Sequence, residues 1–350
     1  MNRLISDTMS GVVLMGHGGP EMLQWRDDLP TPRPGPGDVL IRITAAAVNN
    51  TDVNTRLAWY SKGDAASDDA SWSGKPLVFP RIQGADACGE IVDVGRDVDR
   101  SRIGERVLVE PCIRVADGER LYPAWYFGSE CDGGFAQYAR VAACHAHPVN
   151  STLTDHELAS FPCSYSTAEN MLTRSRVGVG DRVLVTGASG GVGSAAVQLA
   201  RARGAEVMAV TSPSKSAAIE QLGALSTFAR DDDLIAMLGA KSVDVVIDLV
   251  AGPTWPMLID VLSPGGRYAV SGAIAGPMVE LDVRTLYLND ISFFGCTVLD
   301  DGVFSNLIRR IEEGVISPLV AETYPLRDIA LAQESFGQKS HIGKIVLDIP

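Results

Sequence analysis

The segment "DRVLVTGASGGVGSAAVQLARARGAEVMAVTS", residues 181–212, decides the fold of this chain. An apolar strand comes first and a glycine-rich turn follows. A helix with Val192, Ala196 and Leu199 on one side then leads into a second strand. Gly204 falls just past the end of that helix, where a glycine is favoured. Apolar strands that alternate with helices predict a parallel, doubly wound sheet.

The residues before this segment show a different pattern. From residue 11 to residue 150, short β-type runs alternate with turns, and no long amphipathic helix is expected there. These runs are "DVLIRITAAAV" (38–48), "ACGEIVDVG" (87–95), "RVLVEPC" (106–112) and "FAQYARV" (135–141). Later strands are expected at "VDVVIDLV" (243–250), "GGRYAVSGA" (265–273), "DISFFGCTV" (290–298) and "GKIVLDI" (343–349). A chain of 350 residues has room for two domains.

The composition restricts the possible functions. The net charge is −13 and no cluster of basic residues occurs, so nucleic acid binding is disfavoured. No apolar run is long enough to cross a membrane, and the N-terminus lacks the features of a secretory signal. The six cysteines are scattered rather than closely paired, which is typical of reduced thiols. We expect a cytoplasmic protein that binds neither nucleic acid nor membrane.

The part "VLVTGASGGVG" (183–193) predicts a site for a dinucleotide. It joins a strand to a helix, and in that context glycines form a tight turn. Backbone N–H groups and the helix N-terminus can then reach a pyrophosphate. The expected contacts are Ala188, Ser189, Gly190, Gly191, Val192 and Gly193.

The residues after the next strand, "EVMAV" (206–210), indicate which dinucleotide binds. Sites for NAD usually place an acidic side chain there to bind the ribose 2′-hydroxyl. Here Thr211, Ser212 and Lys215 provide hydroxyl groups and an ammonium that suit a 2′-phosphate. The alternative is that Ser214 caps the next helix and Lys215 is simply solvated. The missing acid favours NADP(H).

The glycine motif also matches the Thr-Gly-x-x-x-Gly-x-Gly of short-chain dehydrogenases. Those enzymes need a Tyr-x-x-x-Lys pair, in which the lysine lowers the pKa of the tyrosine. None of the eight tyrosines here has a lysine four residues later, and the glycine motif begins at mid-chain. The sequence therefore excludes that class.

Over nearly its whole length the chain resembles the medium-chain dehydrogenase/reductase superfamily. The resemblance rests on "PGDVLIRITAAAVN" (36–49), "GADACGEIVDVG" (84–95), "VGVGDRVLVTGASGGVGSAAVQLA" (177–200) and "LSPGGRYAVSGA" (262–273). Within the superfamily, "VNNTD" (48–52) is similar to the Val-Asn-x-x-Asp of the quinone oxidoreductase branch. The resemblance implies a strand-rich GroES-like catalytic domain over residues 1–154 and an NADP-binding Rossmann domain over 155–300. A C-terminal segment, 301–350, would return to the catalytic domain.

The resemblance also bears on zinc. Zinc enzymes of this superfamily carry Cys at the position of Asn49 and Gly-His-Glu where this chain has Gly84–Ala85–Asp86. Alanine cannot bind a metal, and Cys163, at about the third ligand position, would be left as a single thiolate. The lobe that normally carries four close cysteines has only Cys112 and Cys131. We therefore expect a zinc-free enzyme.

One metal-like cluster is left, "CHAHP" (144–148). A metal site there competes with ordinary surface histidines, and no carboxylate or second ligand pair stands nearby in the sequence. Surface histidines are the simpler interpretation.

The resemblance implies roles for single residues. Tyr60 stands eight residues after Asp52, at the offset of the active-site tyrosine in quinone oxidoreductases and related enoyl-thioester reductases. Its phenol would donate a hydrogen bond or a proton to the substrate, unless it is only a packing aromatic beside Trp59. Asn49 would donate a hydrogen bond to the substrate or the cofactor ribose. Asp52 and Asp86 would fix the local backbone.

Three more residues are expected near the nicotinamide. Thr167 matches a threonine that family members place there, and the loop around Ser271 and Gly272 should cover its other flank.

Two segments are candidates for the substrate pocket. The connection over residues 61–80 is longer than is usual in the family and is either a solvated loop or a lid. Its distinctive residues are Asp64, Asp68, Asp69 and Trp72. The aromatic run Trp125, Tyr126 and Phe127 indicates a wall for a flat or apolar substrate, unless it belongs to the core.

The sequence thus predicts a zinc-independent, NADPH-dependent oxidoreductase that delivers a hydride to an enone, an enoyl thioester or a quinone. Reduction of small aldehydes or ketones is an alternative within the same class. A non-catalytic NADPH-binding protein, of the crystallin kind, is the alternative from another class. The apolar strand at 290–298 should lie at a sheet edge and pair with a second copy, so a homodimer is expected.

Overall fold

The glycine-rich segment joins a strand to a helix, as its pattern predicts. A computed structural model of the chain describes residues 5–61 and 75–350. The described residues form two compact units. One comprises the chain up to Cys163 together with Pro318–Pro350, and the other comprises Ser164–Ser317.

The first unit is built mainly of strands, and the described helices of its N-terminal part are short. The strands are β1 (Thr8–Leu14), β2 (Leu23–Pro30), β3 (Asp38–Ala47), β4 (Arg81–Ile82), β5 (Asp86–Val94), β6 (Arg106–Val109), β7 (Cys112–Ala116), β8 (Glu119–Tyr126), β9 (Tyr138–Ala142) and β10 (Ala146–Pro148). The helices are α1 (Asn50–Arg56) and α2 (Asp155–Ala159).

The second unit alternates helices and strands. Its helices are α3 (Pro162–Arg174, which begins at the unit boundary), α4 (Gly191–Ala202), α5 (Ser216–Leu222), α6 (Leu234–Leu238), α7 (Trp255–Asp260), α8 (Val283–Leu288) and α9 (Val303–Glu312). Its strands are β11 (Arg182–Val185), β12 (Glu206–Val210), β13 (Ser226–Phe228), β14 (Val243–Asp248), β15 (Leu262–Val270) and β16 (Ser292–Gly295). The chain then returns to the first unit through β17 (Val320–Pro325), α10 (Ile329–Gln338) and β18 (Lys344–Asp348).

The main sheet of the first unit brings distant parts of the chain together at the ends of its central strands. Its strand order is β10-β6-β5-β3-β18-β17, and β9 also pairs with β3. The central strand β3 is antiparallel to both β5 and β18, with Ala47 opposite Asp86 on one side and opposite Val346 on the other. The C-terminal end of β3 therefore lies beside the N-terminal ends of β5 and β18. The apolar, β-branched residues of these strands, such as Ile41 and Ile91, form the core of this unit.

The sheet of the second unit is parallel throughout, with the order β13-β12-β11-β14-β15-β16. This order reverses direction between β11 and β14, and such a switch point is where dinucleotides bind in doubly wound sheets. Both predicted parts of the fold, the strand-rich domain and the doubly wound parallel sheet, are therefore confirmed. The predicted edge strand 290–298 does lie at the sheet edge, but only Ser292–Gly295 is paired.

The unit boundaries differ from the expected limits at residues 154 and 300. Helix α2 packs on β3 and β5, so it stays with the first unit. The residues up to Ser317 stay with the second, because the Ser317 N–H donates to Gln198 Oε1 in α4 at 2.8 Å. The Asp300 N–H likewise donates to Asn170 Oδ1 in α3 at 3.0 Å. Patterns of strands and helices do not carry such long-range contacts. In the described part of the chain no helix is long and apolar enough to cross a membrane.

Candidate active site

Three polar side chains meet where β3, β5 and β18 come together. Asn49 follows β3, Asp86 begins β5 and Lys344 begins β18, and all three are at least 95% buried. The register explains the meeting. Val346 lies opposite Ala47 in this antiparallel pair. Lys344, two residues before Val346, therefore faces Asn49, two residues after Ala47. Burying an ammonium and a carboxylate is costly unless they are paired and hydrogen-bonded.

The cluster fixes the orientation of the Asn49 amide. Lys344 Nζ has only hydrogens to offer and donates to Asn49 Oδ1, so the amide oxygen must face it. Asn49 Nδ2 in turn donates to Asp86 Oδ2 at 2.8 Å and to the Ala47 carbonyl at 3.2 Å. Both amide hydrogens are therefore used inside the cluster. The hydrogen bond from Asn49 to a substrate or ribose, expected from the sequence, would require one of these bonds to open.

Asp52 fixes the start of α1. Its carboxylate accepts from the Asn49 N–H at 2.8 Å, as the third residue of a helix often does, and from the Ala85 N–H at 3.2 Å. Burial raises the pKa of Asp52 to about 7, although the bond from the Asn49 N–H opposes the shift. The contacts of Asp52 confirm the expectation that it holds the backbone.

Cys163 lies beside Asp86 and Tyr126. Its N–H donates to Asp86 Oδ1 at 2.6 Å, and its thiol is 3.1 Å from the Tyr126 hydroxyl. Burial raises the pKa of the Cys163 thiol to about 12, so the sulfur stays protonated at neutral pH. Of the aromatic run, Phe127 is core, whereas Tyr126 packs with Ala85 and Cys163. The expected aromatic wall is thus reduced to Tyr126 in this cluster.

Tyr60 returns over α1 through a tight turn. Ala58 has φ +56°, a left-handed conformation that is rare for a non-glycine residue, and the Trp59 N–H donates to the Asn54 carbonyl. This turn lets the Tyr60 hydroxyl donate to Thr51 Oγ1 at 3.2 Å. Burial raises the pKa of Tyr60, so the phenol keeps its proton at neutral pH. Tyr60 also stacks edge-on against Trp59, so the packing interpretation and the donor interpretation are compatible.

The donor set of this site does not fit zinc. Asn49 presents an amide whose oxygen is bound to an ammonium, Ala85 has no donor atom, and the Cys163 thiol is protonated. Zinc sites use thiolates, neutral imidazoles and carboxylates. Among residues 5–61 and 75–350, no group of three or more His, Cys, Asp or Glu side chains is arranged to hold a metal.

Two of the "CHAHP" residues, His145 and His147, lie around Glu110. His145 Nδ1 and His147 Nε2 lie 3.3 and 3.2 Å from Glu110 Oε2, and Arg114 bonds the other oxygen at 2.7 Å. The interpretation as surface histidines is wrong for His145, which is 2% exposed. Its Nε2 accepts from two backbone N–H groups, those of Arg114 and Val115. This cluster is structural.

The glycine-rich turn of the second unit has the shape of a phosphate cradle. Gly187 has φ +60°, and a Cβ on Gly193 would contact the Gly187 carbonyl and lie 2.7 Å from the Ala188 Cα. Helix α4 begins at Gly191, so its first N–H groups have no partner within the helix and face the turn. Ser189, Gly190 and Val192 lie on the same turn and first helical turn, as predicted.

The residues predicted to choose the cofactor gather at the end of β12. Thr211 is buried and its hydroxyl has no hydrogen-bond partner within the described ranges, and Ser212 Oγ is 3.4 Å from Ser214 Oγ. Burial lowers the pKa of Lys215, and so does the charge of Arg230. Arg230 follows the next strand, β13, and sequence patterns missed it. After β12, where an NAD site usually has an acid, the chain thus has hydroxyl groups and Lys215, and Arg230 is close enough to lower the pKa of Lys215.

The remaining predicted cofactor contacts lie in the same unit. Ser271 and Gly272 follow β15, whose carboxyl end is at the same sheet edge as the glycine-rich turn. Thr167 is half-buried in α3. Asp248, which sequence reasoning missed, links the end of β11 and β15 because it accepts from Thr186 Oγ1 at 2.6 Å and from the Tyr268 hydroxyl at 2.5 Å.

Two family models match the chain. The model of the alcohol dehydrogenase GroES-like domain matches residues 35–151, and that of the zinc-binding dehydrogenases matches residues 191–313. The quinone oxidoreductase of Rattus norvegicus is 30% identical, with 97% of both chains covered. The acryloyl-coenzyme A reductase of Metallosphaera sedula is also 30% identical, with 97% of this chain and 99% of that one covered.

Solved structures agree with these matches. A Sinorhizobium meliloti 1021 protein with a provisional assignment as an alcohol dehydrogenase has 46% identity and a TM-score of 0.92, with 99% of this chain and 98% of that chain covered. A structure named as an NAD-dependent alcohol dehydrogenase has 29% identity and a TM-score of 0.86, with 98% of this chain and 100% of that chain covered.

These findings and the two-unit architecture define the class: the chain belongs to the medium-chain dehydrogenase/reductase superfamily of oxidoreductases. Within that superfamily it belongs to the quinone oxidoreductase-like branch. One of the matching models is described as that of zinc-binding dehydrogenases, whereas Asn49 and Ala85 in the described part of the chain do not supply zinc ligands. The possible lid residues, Asp64 to Trp72, lie outside the described ranges.

Proposed function

We propose that this protein is a zinc-independent, NADPH-dependent oxidoreductase that reduces an activated C=C bond or a quinone. The observation that carries the proposal is the site in the first unit. There the phenol of Tyr60 bonds Thr51 and interacts electrostatically with Asp52 and Cys163. Asp52 and Cys163 in turn contact a buried cluster in which Asn49, Asp86 and Lys344 bind one another. Relatives named for quinone and acryloyl thioester reduction support the choice of acceptors.

Bound NADPH would supply a hydride, which is one proton with two electrons, to the β-carbon of an enone or enoyl thioester. The electrons of the C=C bond then move onto the carbonyl oxygen, which needs a hydrogen-bond donor. Tyr60 is the residue that we assign to this task, because its raised pKa keeps the proton on the phenol. A proton from the phenol or from solvent completes the reduction at the α-carbon. A quinone takes the same hydride and one proton and becomes a hydroquinone.

The assignment of NADPH rests on the end of β12. Lys215 and Arg230 provide two positive charges near Ser212 and Ser214, and a 2′-phosphate would bind this group through charge-assisted hydrogen bonds. NADH is the competing cofactor, since one solved relative is named as NAD-dependent. An NADH site prefers a carboxylate at this position, and Thr211, Ser212 and Lys215 provide none.

We also propose a homodimer formed through β16. This strand is the last of its sheet, and several large apolar side chains near it are exposed. Such a group at a sheet edge is typical of a surface that pairs with another chain. They include Phe293 (38% exposed), Val298 (42%), Tyr287 (60%) and Leu288 (69%).

The test of the proposed reaction is steady-state oxidation of NADPH with three acceptor sets: quinones, enones with enoyl thioesters, and aldehydes with ketones. We expect turnover with the first two. Turnover with aldehydes alone would make the protein a carbonyl reductase, which the alcohol dehydrogenase relatives also allow. NADPH binding without turnover of any acceptor would support a non-catalytic role.

A further inference from the structure

Lys344 is the lysine of the active-site cluster, and it is almost completely buried. Its side chain is 3% exposed, and its Nζ lies 2.9 Å from Asp86 Oδ2. The same ammonium donates to Asn49 Oδ1. An ammonium is retained in such a place only when its partners are fixed and bonded to it.

Lys344 bonds the side chains at positions 49 and 86, where the zinc enzymes of the superfamily carry Cys and Glu. Asp86 Oδ2 is shared by Lys344 and Asn49, and its other oxygen accepts from the Cys163 N–H at 2.6 Å. The Asn49 oxygen faces Lys344. Each side-chain oxygen of Asn49 and Asp86 therefore accepts a hydrogen bond from a group in the described part of the chain. The Lys344 ammonium lies between the two side chains and carries a fixed positive charge.

We propose that the Lys344 ammonium takes the place of a divalent metal in this site: it binds the side chains at positions 49 and 86 and excludes a divalent cation by its charge. The proposal deepens the zinc-free function proposed above and rests on it. Lys344 is a positioning residue in this scheme. It orients Asn49, and Asn49 and Asp52 together fix the start of α1, which carries Thr51 and the turn to Tyr60.

The metal-binding test restores zinc-type ligands next to Cys163. The double variant Asn49→Cys, Ala85→His is prepared with Lys344 present and again with Lys344→Met. Binding of Co²⁺ is measured by equilibrium dialysis and by the thiolate-to-cobalt absorption band. We expect at least tenfold tighter binding once Lys344 is replaced, because the positive charge is gone and Asp86 is released. The matched control is Lys339→Met in the same double variant, since Lys339 is a nearby cation that bonds Asn50 at 3.0 Å. Its removal should change Co²⁺ affinity much less.

Equal Co²⁺ affinity with and without Lys344, or an equal gain from Lys339→Met, would overturn the proposal. If the ligand variants do not fold, thermal unfolding of the native background decides. Lys344→Met alone should lower the Tm because Asp86 loses its counter-charge, and adding Asp86→Asn should recover part of that loss. Strictly additive losses would reject the pairing. Neither readout depends on turnover. If both readouts give the expected result but no acceptor supports NADPH oxidation, the proposed function is refuted and the proposal about Lys344 stands.

Discussion

Replacing Tyr60 by Phe tests whether the phenol takes part in the chemistry. The substitution keeps the ring, including its edge-on contact with Trp59 at a centroid distance of 5.4 Å, and removes only the hydroxyl. In the resting site that hydroxyl donates to Thr51 Oγ1 at 3.2 Å and also bonds the Asn54 side chain, so the free energy of unfolding should fall by about 1–2 kcal/mol.

The catalytic effect should be larger than the effect on stability. Loss of one donor to a developing oxyanion costs about 2–3 kcal/mol of barrier, which lowers the turnover number roughly 30- to 150-fold. A quinone acceptor should suffer less than an enone, because its reduction needs less help from a donor. Since burial raises the pKa of Tyr60, the wild-type rate should not titrate with this phenol between pH 6 and 9.

The assay is steady-state NADPH oxidation with one enone and one quinone, accompanied by NADPH titration and thermal unfolding. Tyr122→Phe is the matched control, because that tyrosine is fully exposed and the chemical change is identical. Wild-type turnover of enones by Tyr60→Phe would refute the reasoning. Tyr60 would then be a wall residue, and protonation would come from water.

Three further predictions follow from other parts of the structure. Lys215→Ala should weaken NADPH by about 1–2 kcal/mol and leave NADH almost unchanged, and Arg230→Ala should do the same; equal loss for both cofactors in a fluorescence titration would make these residues structural. Burial works against ionisation of Glu110, but the bonds from His145 and His147 and the charge of Arg114 prevail and lower its pKa to about 2. Because this folded-state pKa lies below the ordinary 4.5, the stabilisation is present above about pH 4.5 and is lost as the pH falls toward 2. Glu110→Gln should therefore cost about 3 kcal/mol at pH 7 and much less at pH 3 in denaturant titrations, and a pH-independent difference would contradict this. Light scattering at micromolar concentration should give twice the chain mass, and a monomer would reject the dimer.

Much of the fold, and the position of the glycine-rich turn, could be predicted from local patterns. The glycine-rich turn, the strand before it and the helix after it are neighbours in the chain, so residues 183–193 were enough to predict a dinucleotide cradle. The expectation of a zinc-free site came from the family resemblance, which sets Asn49 and Ala85 against the cysteine and histidine of the zinc enzymes, and it stays a prediction. Ser271 and Gly272 follow β15 at the edge of the sheet where parallel strands bring their carboxyl ends together, and their contact with the nicotinamide stays a prediction.

Other features depended on which distant strands pair. The sequence by itself determined that the chain has a strand-rich part and a doubly wound parallel sheet, since residue composition and periodicity carry that information. Only the tertiary structure decided that Lys344 lies against Asn49, 295 positions away, because that contact follows from the register of β18 on β3. The same holds for His145, which closes on Glu110 only when β10 pairs with β6. A buried charge is stable only beside its partner, and the partner is chosen by strand register, which no local pattern of residues specifies.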